Sequence, residues 1–407
     1  MNVYVLGAGV SKCVGYPVGT ALFNEIDKYV RESGNLTDRF NYREDWNGLR
    51  HWLETNTDPA IAQAYRTKNI EHLFTILDFA AELRNDAFLS VAFAGRGSEE
   101  RAAQSVAFEA FDQRIKDYQQ YRGILLWALE HYFAWRHEDD YESSRTKDWD
   151  SLREFADLLS PGDVVITFNY DATLERVLWG QGKWSPSDGY GFDLVFQKSR
   201  HDRTPVPFDD SQIVVLHLHG ATGWYRRPAF APDFEVPQGR GSGALPREAF
   251  GAAPPGTNIS LDPQFLRGLG ISEVDACLPD LLTTANERHV VLHPSFLKDY
   301  ERDEQGSHAL VALWQKAAQV LREAEHTFII GYSLPKADVA ALTLLLTSLP
   351  RGTVTVVNPT GKDVMRLGRL FGGNPLGGAV TLEGWLAAGH PTRVPWRPRA
   401  QASRAGS

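Results

Sequence analysis

Cysteine is nearly absent: Cys13 and Cys277 are the two in 407 residues. Two thiols cannot build a disulfide framework or a four-cysteine zinc ribbon, and their scarcity fits a reducing compartment. A basic surplus is also lacking. The formal net charge is -9, whereas a free-standing nucleic-acid binder usually carries a positive balance that neutralises phosphates. Direct nucleic-acid binding is therefore not expected. No apolar run approaches the roughly 18 residues that a membrane span needs. Met1 opens on an apolar strand, Val3-Tyr4-Val5-Leu6, without a charged leader before it. The expectation is a cytoplasmic protein with no membrane contact.

What is present is an ordinary globular composition, 43% hydrophobic and 23% charged, in a chain long enough for one large domain with an insertion or for two domains. The texture divides it. From Thr20 to about Asp150 the apolar residues recur at helical spacing, as in Leu22, Ile26, Tyr29, Val30 and in Ile70, Leu73, Phe74, Leu77. After Asp150, short apolar runs alternate with helical patterns: Val164-Val165-Ile166, Ile213-Val214-Val215-Leu216, Val290-Val291-Leu292, Phe328-Ile329-Ile330 and Val354-Thr355-Val356-Val357. Such runs read as parallel strands covered on both faces. Val3 to Leu6 is expected to join that sheet, with the helical block inserted into one nucleotide-binding domain. Residues 228–263 are rich in Pro and Gly and read as a loop or lid, and 391–407 read as a flexible tail.

The first strand runs into Gly7-Ala8-Gly9-Val10-Ser11, a turn whose small residues let backbone N–H groups approach a phosphate. Lys12 stands where the common dinucleotide fingerprint has its third glycine. Further polar turns follow the later strands. Thr167-Phe168-Asn169-Tyr170-Asp171 comes after the strand ending at Ile166. There Asp171 reads either as a helix cap or as a ligand contact, and Asn169 as a turn residue or as a holder of water or a ribose hydroxyl. His217-Leu218-His219-Gly220 comes next, and period-two alternation points its two imidazoles to one side. His217 reads as a satisfied structural histidine and His219 as a general base facing an open cleft. A metal centre needs three or four ligands, and only His289 and His293 offer themselves as additions. Gly331-Tyr332-Ser333-Leu334-Pro335 lacks the second glycine of a nucleophile elbow, so Ser333 reads as a phosphate contact. Asp338 either caps the next helix or faces the cleft. Asn358-Pro359-Thr360-Gly361 closes the series as a turn suited to a ribose.

Taken in order, Gly7-Ala8-Gly9-Val10-Ser11 with Gly15-Tyr16-Pro17, then Thr167 to Asp171, Leu218-His219-Gly220, Gly331-Tyr332-Ser333 and Asn358 resemble the sirtuin family. The resemblance runs from residue 1 to about 390. It implies an α/β fold, a Rossmann-like doubly wound parallel sheet with an inserted helical domain and no zinc module: NAD-binding domain over 1–19 and 151–390, insertion over 20–150. It places NAD at the sheet's carboxyl edge, with the Gly7, Ala8, Gly9 and Ser11 loop at the phosphates and Ser333 and Asn358 toward the adenosine. Asn169 and His219 stand as catalytic residues beside the nicotinamide ribose, and Pro17, Asp171 and Gly331 complete the binding set. Val18-Gly19-Thr20 replaces the Asp-Phe-Arg that follows this turn in sirtuin deacylases. The chain is thus similar to the prokaryotic sirtuin-like NAD hydrolases of antiphage defence, which deplete NAD. These accompany short Argonautes, translocase ATPases or sensor domains. No metal is expected, and the helical block is the expected surface for homo-oligomer assembly. A silent NAD or ADP-ribose binding module, and a deacylase or ADP-ribosyltransferase, are the alternatives. Asn169 and His219 are expected at a solvent-lined cleft.

Overall fold

The computed structural model describes residues 1–19, 21–32, 42–56, 59–82, 118–133, 135–137, 149–194, 196–197, 205–206, 208–226, 259–261, 266, 269, 289–291, 307–335, 338–350, 354–371 and 380–389. Nearly all of the loop expected over 228–263, the tail 391–407 and Cys277 lie outside them. Two compact units form, one from residues 1–16, 134–291 and 300–407, the other from 17–133 and 292–299.

Among the described residues the first unit holds ten strands: β1 (Asn2–Leu6), β2 (Val164–Thr167), β3 (Phe196–Gln197), β4 (Pro205–Val206), β5 (Val214–His217), β6 (Gly220–Arg226), β7 (Ile259–Leu261), β8 (His289–Val291), β9 (His326–Ile330) and β10 (Val354–Val357). Five of them make a parallel sheet in the order β10-β9-β1-β2-β5. Successive strand residues face opposite sides, yet every residue of β2 and β10 is buried, as are Val3 to Leu6. Both faces are therefore covered, which is why these strands read as continuous apolar runs. Each fully buried Val, Ile or Phe contributes on the order of 2 kcal/mol of burial. On one face Tyr4 stacks on Phe328 at 5.0 Å and meets Phe155 edge-on at 5.6 Å, and Phe328 continues to Trp385 at 5.7 Å.

Winding direction reverses at the centre of this sheet. β2 and β5 add on one side of β1, β9 and β10 on the other, and the pairs Leu6 with Thr167, Thr167 with His217, Leu6 with Ile330 and Ile330 with Val357 align the five carboxyl ends. Helices Thr173–Gly180, Ser307–Glu323 and Val339–Ser348 precede β5, β9 and β10 respectively. The candidate run at Val290 does not join the parallel sheet. β8 pairs antiparallel with β6, which pairs with β7 on its other side. The cause is local: three residues after the end of β5, Gly220 at φ 75° turns the chain, and the seven-residue β6 returns as a platform of its own.

The second unit is helical: Ala21–Glu32, Tyr42–Thr55, Pro59–Arg66, Ile70–Glu82 and 118–133. Its core holds Phe23, Trp46, Leu49, Leu73 and Phe74. Trp46 donates its indole N–H to Asp27 at 2.9 Å, and Asp27 also faces Arg31 at 3.1 Å and Arg50 at 3.3 Å. Helix Pro59–Arg66 closes with Asn69 N–H on Ala64 O and Lys68 N–H on Tyr65 O, placing Lys68 at φ 52° with its ammonium 3.4 Å from the Tyr65 ring centroid. Among the described residues no helix is long and apolar enough to cross a membrane.

In the same unit His131 lies 4.4 Å from the Trp127 ring, and burial pushes its imidazole down to about 4. An unfolded chain would protonate it near pH 6.5. The unfolded state therefore binds this proton first, and stability falls as pH drops from about 6.5 toward 4. Thermal melts across that window should show the loss, and His131→Phe should flatten it by on the order of 2 kcal/mol. An unchanged pH dependence in the variant would show that His131 is not the acid-sensitive group.

Candidate functional site at the carboxyl edge of the sheet

The turn after β1 is locked to the turn after β9. Gly7 N–H donates to Ile330 O at 3.1 Å, Gly9 N–H to Gly331 O at 3.0 Å, and Val10 N–H to Gly7 O at 2.9 Å. A Cβ on Gly7 would lie 2.5 Å from Tyr332 Cα, and one on Gly9 2.8 Å from Gly331 Cα. Gly331 itself sits at φ 64°. The glycines are thus demanded by the close approach of another stretch of chain. This corrects the reading of the loop as a set of N–H groups facing a phosphate, since three of those donors are occupied by carbonyls. Ala8 is exposed and Gly9 half-buried at the outer surface of the turn, whereas Ser11 is buried.

Ser11 belongs to a buried network with Asn169 and Asp171. Its hydroxyl donates to Asp171 Oδ1 at 2.9 Å and accepts from Asn169 Nδ2 at 3.1 Å. The same Nδ2 donates to Gly7 O at 3.2 Å, and the Asn169 N–H to Thr167 Oγ1 at 3.1 Å. Both amide hydrogens of Asn169 are therefore committed, and what it can offer a ligand is its Oδ1 acceptor. Asp171 also accepts from the Thr173 N–H at 3.2 Å and the Thr173 hydroxyl at 2.6 Å. It braces the start of the helix although Ala172 holds the cap position. Burial pushes the Asp171 carboxyl up, Ser11 and Thr173 draw it down, and nearby Glu175 raises it again. Ser11, Asn169, Asp171, Thr173 and Glu175 line a cavity of about 10 Å³, room for a single water at most.

His217 and His219, expected on one side, have separate partners. His217 ends β5, its Nδ1 3.1 Å from Asn169 O and its Nε2 on the Glu175 carboxylate, with both residues buried. Burial disfavours the imidazolium, but the charge and hydrogen bond of Glu175 outweigh it, and the net shift is upward. Tyr190 and Trp224 close over this ring. His219 lies beyond the strand, where alternation no longer governs. Its Nε2 is 3.3 Å from Asp338 Oδ2, which accepts from the Tyr332 hydroxyl at 2.5 Å. The ring meets Phe168 edge-on at 5.0 Å and lies 6.2 Å from Tyr170, and Phe168 stacks on Tyr332 at 4.4 Å.

Asn169 is 8% exposed and His219 5%, so neither lines an open, solvent-filled cleft: aromatic packing covers the imidazole, and hydrogen bonds pin the amide. Ser333 is exposed, and Arg366 donates to the carbonyls of Ser333 and Leu334, the latter held at φ 48°. Asn358 is buried, its Oδ1 accepting the Thr360 N–H at 2.9 Å. Pro17 opens the second unit. Among the described residues no group of three or more His, Cys, Asp or Glu could hold a metal ion.

Sequence reading missed Glu175 at this edge, and it left Asp338 between a helix cap and the cleft without naming its partner. Glu175 carried a signal, a charge on the buried stripe with Leu174 and Leu178. Asp338 precedes a helix that is almost wholly apolar, yet its side chain makes no cap hydrogen bond; it faces His219 instead. No protein-family model matches the chain, and comparison with characterised proteins finds no match.

Because the Gly9 Cβ would strike backbone, Gly9→Ala should lose about 2 kcal/mol or more in chemical denaturation. The neighbouring exposed Ala8→Ser should stay within about 0.5 kcal/mol. Equal effects from the two substitutions would contradict the close approach.

Proposed function

We propose that the chain is an NAD hydrolase that cleaves the bond between nicotinamide and ribose. The strands of the parallel sheet, numbered in chain order, lie as 3-2-1-4-5, the Rossmann-like doubly wound order without its sixth strand, in which ligands settle outside the carboxyl ends where the winding reverses. The observation that carries the reading is the joint placement of Asn169 and His219 after neighbouring strands β2 and β5, with Asn169 reaching across to Gly7 at the end of β1. Exposed Ala8 and Ser333 are the loop positions that suit the phosphates, with Asn358 nearest the ribose of the adenosine half in this reading.

The chemistry asks for a held nucleotide, a placed water and a base. As the C1′–N bond breaks, its electron pair leaves with nicotinamide, and the anomeric carbon develops oxocarbenium character. A water oxygen then bonds to C1′ and gives up a proton. Asn169 Oδ1 accepts from that water or from a ribose hydroxyl, and His219 takes the proton. NAD depletion by such a reaction fits an effector of antiphage defence. Assembly with further copies through the helical unit, and activation by a partner such as a translocase ATPase, a short Argonaute or a sensor, belong to the same proposal. A second reading, an ADP-ribose-binding module without turnover, is favoured by one observation: the Asn169 amide hydrogens and the Gly9 N–H are spent inside the fold.

The deciding experiment incubates purified protein with NAD, with and without candidate partners, and follows nicotinamide and ADP-ribose. His219→Ala should lower nicotinamide release by about 100-fold or more, and because it empties a buried position beside Asp338 it should also cost about 1–3 kcal/mol in the melt. Asn169→Ala should abolish release as well and cost about 1–3 kcal/mol, because Gly7 O and Ser11 lose a donor. Retained NAD binding with no turnover under every condition would leave the binding module in front.

A further inference from the structure

His219 has a carboxylate partner that no strand-end motif announces. Asp338 is 2% exposed, carries no cap hydrogen bond although it stands at the start of helix Val339–Ser348, and places Oδ2 3.3 Å from His219 Nε2. The Tyr332 hydroxyl fixes the same oxygen at 2.5 Å. Tyr332 is in turn held by its stack on Phe168 and by the glycine contact that locks Gly331 to Gly9. We infer that Asp338 is the positioning residue of this site: its carboxylate orients the His219 imidazole through Nε2 and leaves Nδ1 as the nitrogen that takes the proton.

The inference rests on the hydrolase reading for the identity of the reaction, and on geometry alone for the coupling of the two side chains. A neutral imidazole with Nε2–H toward a carboxylate presents its lone pair at Nδ1. Once the C1′–N pair has departed with nicotinamide, a lone pair of the water oxygen forms the new C1′–O bond, and the O–H pair stays on oxygen as its proton leaves. The proton goes to Nδ1, and the imidazolium then lies beside a buried anion, which lowers the energy of that state. Among the described residues, the titratable groups that face His219 include Asp338 from the head of its helix, Tyr332 from the turn after β9, through Asp338, and Tyr170 from the turn after β2. Phe168 supplies an uncharged wall, and Trp314 stands behind it at 6.2 Å.

Asp338→Asn keeps the shape and removes the charge, and Tyr332→Phe removes only the hydroxyl that holds the carboxylate. With NAD as substrate, Asp338→Asn should lower kcat by about tenfold or more with KM within about twofold, and should move the acid limb of the rate profile to lower pH. Tyr332→Phe should act in the same direction with a smaller loss, and Asp338→Glu should recover part of the activity. Independently of turnover, the full chain labelled with nitrogen-15 histidine, with His219→Gln used to assign the resonance, should show the His219 titration midpoint falling in Asp338→Asn. An unchanged midpoint together with a superimposable pH profile overturns the inference, as does a rise in KM with kcat intact. A wild-type chain that releases no nicotinamide sinks the hydrolase reading, and the midpoint then still decides the coupling.

Discussion

The contact between the turn after β1 and the turn after β9 is the constraint on which the site depends. Two parallel strands whose helices leave in different directions must part at their carboxyl ends, and here their turns are pressed together, glycine against glycine, with Gly9 N–H on Gly331 O. Because Gly331 is fixed, Tyr332 is aimed, and Tyr332 holds Asp338. Because Gly7 is fixed, its carbonyl receives Asn169. A Cβ at any of the three glycines meets main chain, and close-packed interiors have little room to yield.

Two buried acid and histidine pairs flank Asn169, and they differ in kind. Glu175 and His217 are sealed among Tyr190 and Trp224, and His217 spends its second nitrogen on the Asn169 carbonyl. Removing either member would strand a buried charge, a loss of the order of 3 kcal/mol. That pair is a brace for the main chain of Asn169. Asp338 and His219 also lie buried, but among aromatic edges and a hydroxyl. One pair fixes where the site stands; the other supplies its chemistry under the proposed reaction.

Much of the sheet was legible because burial on both faces leaves no room for polar alternation. Val164 to Ile166, Phe328 to Ile330 and Val354 to Val357 announced themselves as unbroken apolar runs, and β1 could be assigned to them before any pairing was known. The run at Val290 looked the same and went elsewhere, since three apolar residues carry no information about the direction of their partner. The glycine loop was ambiguous for a deeper reason. A missing Cβ serves the approach of a phosphate and the approach of a second backbone equally well, and only the position of Gly331, 322 residues after Gly9 in the sequence, distinguishes them. Asp338 and Glu175 were illegible as partners because the imidazoles that they meet come from a distant strand.

Sequence separation also governs how such a sheet is assembled during synthesis. β1 leaves the ribosome first, but its neighbours are β2, beginning at Val164, and β9, beginning at His326. In between, the helical unit can form from local contacts alone. The strand that ends up at the middle of the sheet therefore waits with both hydrogen-bonding edges open until β2 is made, and with one edge open until β9 follows, more than three hundred residues after β1, a period in which unpaired apolar strands are prone to wrong partners. Brevity is its protection: five residues that run straight into glycine make a poor template for association.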